Sequence, residues 1–411
     1  MAETTAHVAD APTAAKTARR PLKAFVMDLC CFIPFYTSQL CRALQDEQVE
    51  ATLGSIRYYL QPDYFQRLGL RNYPGLLDVV SRMKLRSRIL RRGLKLAEAS
   101  LNLVALAVRF VFARPDLVHV QYLAMMEQGV SVEYWFLRFC RLLGIKIVYT
   151  VHNVLPQDNG VRRKKAFARI YRLPDLFICH GAAAKKQLIR EFGVDAGKIR
   201  TIPHGPLFAE GREISRAEAR ATLGFEQDGV ILLSLGVISP YKGTDWLLDA
   251  WHRVGRKQQA RLVIAGTGDP RLLAEIQQKV QRLGMGKSVH LHLSFIPVEL
   301  LANFYQAADV LVYPYREVTT SGALTTGIGY GKAIVATRLP AFEELLRQGE
   351  SALMVDYGDV DGLAVALEEV ISDGTLRSRL AEGAVAVGRE WSSWAAIAEQ
   401  TRACYDAVAV D

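Results

Sequence analysis

The chain has 411 residues, half of them hydrophobic, with 51 Lys and Arg against 42 Asp and Glu and a formal net charge of +9. It can bury two cores of ordinary size rather than one, so a soluble enzyme of two domains is expected. Six cysteines (Cys30, Cys31, Cys41, Cys140, Cys179, Cys404) include no CxxC pair and lie mostly in apolar runs. That excludes a disulfide framework or a zinc site and reads as free thiols in a reducing compartment.

Residues 1–21 are rich in Ala and Thr and carry Arg19-Arg20 without an apolar h-region, so they are expected to form a disordered cytoplasmic tail. The first strand is expected over Ala24 to Met27. Asp28 to Tyr36 follows it, apolar and aromatic and without glycine; packing as core and facing a lipid or a sugar ring both remain open for it. Between Arg82 and Lys95 seven basic residues and no acidic one interleave with Met83, Leu85, Ile89, Leu90 and Leu94. Such a helix is either a solvated face or a face for an anionic membrane surface. No nucleic-acid motif accompanies the charge, so no nucleic-acid partner is expected. Leu101 to Phe112 is apolar but interrupted by Asn102 and Arg109, and it is too short to span a bilayer. A second basic cluster runs from Arg162 to Lys165, followed by Arg169 and Arg172.

Further short apolar runs at Leu117 to Gln121, Ile145 to Thr150, Leu176 to Cys179 and Ile199 to Pro203 complete a first series of strands, giving an N-terminal domain over 22–205. His119 lies inside a strand and is read as structural. His152, in Thr150-Val151-His152-Asn153-Val154-Leu155-Pro156, stands directly after a strand, where an α/β chain opens to its cleft; His180 and His204 occupy comparable strand ends and rank behind it. The polar stretch 206–228 reads as a linker with a short helix.

A second series, Val230 to Leu235, Arg261 to Ala265, Val289 to Leu293, Val310 to Tyr313, Ala333 to Ala336 and Leu353 to Val355, builds a C-terminal domain over 229–385, and 386–411 is a final helical segment with Trp391, Trp394 and Tyr405. The fold class is therefore α/β, two doubly wound Rossmann-like domains with parallel sheets covered on both faces. Ligands of such sheets lie beyond the carboxyl ends of the strands. There stand Gly236 and, after it, Lys242-Gly243 ahead of a helix, where an ammonium can meet a diphosphate. The next run leads to Gly266-Thr267-Gly268, a lone G-x-G ended by Pro270 and thus no nicotinamide fingerprint. Ile296 follows the third run and joins the donor-binding candidates. After Tyr313 and Pro314 come Arg316, Glu317 and Thr319-Thr320-Ser321-Gly322, the last opening a small-residue helix whose N–H groups can approach an anion. Thr326 and Ala333 exclude a P-loop at Gly331-Lys332.

The stretch ADVLVYPYREVTTSGALTTGIGYGKAIVAT, with the Lys242-Gly243 loop and the Thr-Val-His-Asn segment, resembles family 4 glycosyltransferases, the retaining nucleotide-sugar enzymes of the GT-B class. The likeness covers about residues 22–400 and is densest from Gly236 to Asp356. It implies that Lys242 contacts the donor diphosphate, that His152 lies beside the transferred sugar, and that Glu317 is the first of a glutamate pair. The chain departs from the family at Val237, where an arginine is usual and Arg316 is the nearest replacement. It departs again at Thr325 or Thr326, where a hydroxyl would replace the second glutamate against the ribose. The last helix would cross back onto the first domain.

The resemblance further implies transfer of a sugar from a nucleotide-sugar donor with retention. The leaving diphosphate deprotonates the acceptor, and its charge is met by Lys242, Arg316 and the N–H groups near Ser321-Gly322. No cofactor and no metal are expected. A polyprenyl-linked oligosaccharide of bacterial surface polysaccharide assembly is the expected acceptor, with the protein cytoplasmic and peripheral on the inner face of the membrane. Two other readings stay open: a sugar-nucleotide epimerase on the same fold, and a non-catalytic sugar-nucleotide-binding partner subunit.

Overall fold

The computed structural model describes residues 20–83, 87–155, 160–208, 214–255, 259–390 and 393–409. The expected tail lies almost wholly outside these, as do Arg86, Pro156 and Trp391. Six strands form the first sheet: β1 (Leu22–Met27), β2 (Val49–Gly54), β3 (Leu117–Val120), β4 (Lys146–Val151), β5 (Leu176–Cys179) and β6 (Ile199–Thr201). Six more form the second: β7 (Val230–Leu235), β8 (Ala260–Ala265), β9 (Val289–His292), β10 (Val310–Tyr313), β11 (Ala333–Thr337) and β12 (Leu353–Val355). Every pairing is parallel, in the orders β2-β1-β3-β4-β5-β6 and β12-β11-β10-β7-β8-β9.

Parallel strands are buried on both faces, which is why their sequences are near-continuous apolar runs; all four residues of β10 are buried. All the expected runs become strands, with ends moved by one or two residues. β2 adds a strand that the pattern did not reveal. It sits at the sheet edge, pairs with β1 alone, and keeps Glu50 and Thr52 in solvent, so its sequence reads as polar.

The order of each sheet reverses once, between β1 and β3 and between β7 and β10, and crevices open at such switch points. Contacts between the domains come from segments that follow strands. Gln61, after β2, donates to Glu299, after β9, at 2.9 Å, and Arg67 forms an ion pair with the same carboxylate. Thr319, after β10, donates to Asn153, after β4, at 3.1 Å. The carboxyl ends of the two sheets thus face each other across a cleft.

The short helix expected within 206–228 is Arg216–Leu223. It opens with a Ser215/Glu218 capping box and packs on the second sheet's side through Ala219. Its Arg220 is fully buried, pairs with Asp309 at 2.6 Å and donates to the Ala307 carbonyl at 3.0 Å. A buried guanidinium needs such partners, and composition does not reveal them.

The basic stretch is also not one helix. A 3₁₀ turn, Val80–Arg82, precedes it, and helix Arg88–Phe112 begins after Ser87, whose hydroxyl accepts the Leu90 N–H. This helix runs on through the apolar segment. Ala99, Leu103, Leu106 and Phe110 enter the core, and buried Asn102 binds both the N–H and the carbonyl of Leu77, at 2.7 and 2.9 Å. Its outer face shows Leu101, Val104, Val108, Val111 and Phe112 to solvent. Among the described residues no helix is long and apolar enough to cross a membrane. The six cysteines are free, and all but Cys30 are buried.

Helix Trp394–Ala409 crosses back and completes the N-terminal core. Ile397, Ala398, Tyr405 and Val408 pack with Leu40, Leu44, Val148 and Ile178. Arg402, 1% exposed, donates to the carbonyls of Arg20, Glu47 and Gln48 at 2.7–3.1 Å. His119 is indeed structural: fully buried, it meets Tyr405 Oη at 2.6 Å through Nδ1 and Thr150 Oγ1 at 2.7 Å through Nε2.

Burial pushes His119 down to about 3. A histidine with a folded pKa below its unfolded 6.5 leaves stability intact above pH 6.5 and removes it as pH falls toward the folded value, by up to about 1.4 kcal/mol per pH unit. The melting temperature should therefore fall between pH 7 and 4.5. His119→Gln should make that fall shallower; parallel curves for variant and wild type would show that His119 contributes nothing to acid lability.

Candidate functional site

At the second switch point the chain leaves β7 through Gly236, makes a 3₁₀ turn over Pro240–Lys242, and enters helix Thr244–Arg253 from Gly243. Gly243 has φ +66°, and a Cβ there would lie 1.9 Å from the Pro314 carbonyl oxygen. Gly266 has φ +144°, and its Cβ would lie 1.9 Å from the Gly236 oxygen. Glycine here allows the ends of β7, β8 and β10 to touch backbone to backbone. Beside Gly268 as well, the place of a side chain is taken by a carbonyl, that of Ile238, so the G-x-G turn supports the loop that carries Lys242.

Lys242 is the charge this loop presents. Its Nζ lies 5.0 Å from the Tyr315 ring centroid, and a side chain at Gly236 would crowd it at 2.8 Å. Burial works to lower the ammonium, and the Tyr315 and Tyr241 hydroxyls outweigh it, so its pKa stands above the ordinary lysine value. No carboxylate pairs with it among the described residues. In the same loop Ser239 Oγ is buried without a hydrogen-bond partner among the described residues, a cost of about 1–3 kcal/mol that an oxyanion acceptor would relieve.

The neighbouring candidates divide. Arg316, the replacement for the arginine missing at Val237, is bound to Asp245 at 2.5 Å and stacks near Tyr357. Glu317 stands exposed at the cleft edge with no ion-pair partner among the described residues. Ser321 caps helix Gly322–Gly329 by accepting the Leu324 N–H at 3.2 Å. A Cβ on Gly322 would meet Leu207 and His204 at 2.7 and 2.9 Å, so the helix start rests against the other domain. Thr325 and Thr326 are buried. Thr326 accepts the Leu207 N–H at 2.9 Å, and Thr325 reaches the Gly205 carbonyl at 3.4 Å. Their hydroxyls are engaged with the connecting segment, not open to a ribose. Ile296, 7% exposed, packs its side chain in the core with Phe304 and Tyr313.

On the facing domain, His152 is buried with both ring nitrogens engaged, Nε2 at Gln121 Oε1 (3.1 Å) and Nδ1 at His180 Nε2 (3.2 Å). Three histidines of this domain meet. His152, His180 and His204 converge, with one nitrogen of each within 4.8 Å of the others. They come from the ends of β4, β5 and β6, far apart in the chain, so spacing alone could not show it.

The loop after β1 resolves into two parts. Leu29 and Cys31 are core, while Phe32, 53% exposed, stacks on Tyr122 at 4.5 Å and 9°. Asp28 orders the turn by accepting the N–H groups of Phe32 and Ile33, both at 2.9 Å, and burial raises its carboxyl to about 6. Sequence reasoning missed Asp28, Tyr122 and Ser239. The rule that found His152, taking the first residues beyond each strand, would have reached Asp28 and Tyr122. A separate cavity of about 830 Å³ between the domains, lined by Tyr64, Arg67, Phe208, Glu299 and Tyr330 among others, does not include Lys242, Glu317 or His152.

The family model described as Glycosyltransferase Family 4 matches residues 35–205, and that described as Glycosyl transferases group 1 matches residues 229–373. The chain is 27% identical over 290 residues to the D-inositol 3-phosphate glycosyltransferase of Acidothermus cellulolyticus, covering 66% of this chain and 62% of that protein. It is 29% identical over 281 residues to that of Geodermatophilus obscurus, covering 64% and 61%. The match thus spans a little under two thirds of these relatives' length. Among solved structures, Anabaena HepE in complex with UDP and glucose superposes with a TM-score of 0.76 at 16% identity, over 94% of this chain and 100% of that one. WaaG, a glycosyltransferase involved in lipopolysaccharide biosynthesis, superposes at 0.66 and 15% identity, over 94% and 99%. The chain belongs to the family 4-like glycosyltransferases of the GT-B class.

A further contact joins the two domains. The Glu344 carboxylate accepts the N–H groups of Ala182 and Ala183, both at 3.0 Å, and so caps helix Ala182–Phe192 from across the cleft. Glu344→Ala should leave each domain folded and raise the radius of gyration measured by small-angle X-ray scattering; an unchanged radius would show that closure is set elsewhere.

Proposed function

We propose that this protein transfers a sugar, with retention of configuration, from a nucleotide-sugar donor to an acceptor hydroxyl in the cleft. The observation that carries the donor side is Lys242, an ammonium with a raised pKa and no carboxylate partner among the described residues, at the β7/β10 switch point. The donor diphosphate lies against Lys242 Nζ and Ser239 Oγ, with the N–H groups at the start of helix Gly322–Gly329 beside it. The transferred sugar then lies toward Glu317 and the Thr319–Asn153 contact, and the acceptor enters past Phe32 and Tyr122. The new bond forms at the anomeric carbon on the face from which the diphosphate leaves. The acceptor proton passes to the departing diphosphate oxygen, so no carboxylate nucleophile and no metal at the diphosphate are called for. UDP-glucose is the donor to try first, because the Anabaena neighbour was solved with UDP and glucose.

For the acceptor, the outward stripe Leu101, Val104, Val108, Val111 and Phe112, with Arg91 and Arg92 exposed nearer the start of the same helix, favours a lipid-linked saccharide at an anionic membrane surface. The second reading, a soluble inositol phosphate, rests on the names of the curated relatives.

Lys242→Ala should lower turnover by about 100-fold or more at saturating donor, the effect of losing one preorganised charge stabiliser, with little change in melting temperature. Near-normal turnover would remove Lys242 from the mechanism. Binding to anionic vesicles should be strong at low salt and weak at high salt, since each cation near the surface contributes about 1 kcal/mol before screening. Replacing Arg91, Arg92, Val104, Val108 and Phe112 by Ser should abolish it while transfer to a short soluble acceptor survives. Wild-type protein that stays in the supernatant, or that glucosylates inositol phosphate faster than any lipid-linked acceptor, decides for the second reading.

A further inference from the structure

The three histidines at the ends of β4, β5 and β6 form more than a packing cluster. In each, one ring nitrogen faces a carbonyl oxygen. His152 Nε2 lies 3.1 Å from Gln121 Oε1, His180 Nδ1 lies 3.0 Å from the Ile202 oxygen, and His204 Nδ1 lies 2.6 Å from the Gly205 oxygen. A backbone carbonyl oxygen only accepts, so His180 Nδ1 and His204 Nδ1 carry the proton and these two rings keep a lone pair on Nε2. His152 joins them when the Gln121 oxygen faces its Nε2. In that arrangement the Gln121 amide nitrogen donates to His119 Nε2 at 3.0 Å, with the His119 proton on Nδ1, 2.6 Å from Tyr405 Oη.

One nitrogen of each ring is then close to one of each of the other two. His152 Nδ1 and His180 Nε2 are 3.2 Å apart, and one nitrogen of each of the three rings lies within 4.8 Å of the others. At that separation the two nitrogens share either one proton, as a hydrogen bond, or a cation. Tetrahedral zinc with Zn–N bonds of about 2.0–2.1 Å sets its nitrogens roughly 3.3 Å apart. The carbonyl behind each ring is the second partner that metal-bound histidines regularly have, fixing the tautomer and the ring orientation. The neutral form that ligation requires is also the form that burial favours in all three rings. Tyr36 packs on all three, with ring centroids 4.7–5.2 Å away.

We propose that His152, His180 and His204 bind one divalent transition-metal ion, zinc by its fit to three neutral imidazoles, with the fourth position left to water or substrate. No fourth His, Cys, Asp or Glu joins the group among the described residues. The ion would tie the ends of β4, β5 and β6 together where the chain leaves the first domain, next to Gly322 of the second. It is separate from the donor diphosphate at Lys242, so it stands or falls independently of the proposed reaction.

The test uses untagged full-length protein stripped of metal and titrated with Co²⁺ alone. One Co²⁺ per chain should bind with the intense visible d–d bands of a tetrahedral site and without a sulfur charge-transfer band, and one equivalent of Zn²⁺ should displace it. Zinc should raise the melting temperature of the stripped protein by several degrees. His180→Gln and His204→Asn should each lose the bands and at least tenfold in affinity, while His292→Ala, outside the cluster, keeps both. If wild-type protein develops no tetrahedral bands, or if the bands persist in both cluster variants, the proposal fails. Should a cluster variant not fold, the wild-type spectrum, stoichiometry and zinc competition decide alone.

Discussion

A parallel sheet must be covered on both faces, and most of this molecule follows from that requirement. Covering helices on both sides force every strand to run the same way, so all twelve strands deliver their chemistry at their carboxyl ends. Two such sheets facing each other make a cleft without any dedicated wall. The histidines at β4, β5 and β6, the lysine loop after β7 and the Glu317 loop after β10 are products of this one geometry. Where the order reverses, between β1 and β3 and between β7 and β10, neighbouring loops diverge and leave space. The Phe32–Tyr122 stack occupies the first such point and Lys242 the second.

Charge is distributed along the same lines. Most exposed guanidinium groups near the cleft are committed: Arg67 to Glu299, Arg316 to Asp245, Arg338 to Asp356. These are partly exposed pairs of modest worth that hold loops in place. Lys242 differs in having aromatic rather than acidic neighbours, so its charge is compensated only when an anion arrives. A histidine trio shielded from solvent supplies the opposite case, lone pairs without charge, a few residues from the connection between the domains.

Strands covered on both faces were readable in the sequence because nothing polar interrupts them; β10 and β5 begin and end where their apolar runs do. β2 escaped because an edge strand has one solvated face. The short helix expected within 206–228 is Arg216–Leu223, but its buried Arg220 looks like a surface arginine until its carboxylate is seen. At the site, Lys242 and His152 were legible from their place after a strand. What the sequence did not show for Thr325, Thr326 and Ile296 is their packing: the threonine hydroxyls meet the connecting segment and the Ile296 side chain fills the core. The meeting of His152 with His180 and His204 was beyond reach, since it depends on which strands are neighbours.

The last helix of the chain finishes the first domain, with Tyr405, Ile397 and Arg402 placed against residues made at the very beginning. Domains usually fold in order as they leave the ribosome. Here the order is reversed in part: the C-terminal domain, contiguous in sequence, has all its strands once residue 355 emerges, whereas the N-terminal domain lacks one covering layer until helix Trp394–Ala409 has been made. During translation its apolar face around Leu40, Leu44 and Ile178 stays uncovered, so the earliest-made half of the protein is the half most dependent on chaperones. A chain that stops short of Trp394 loses that layer in the domain farthest from the break.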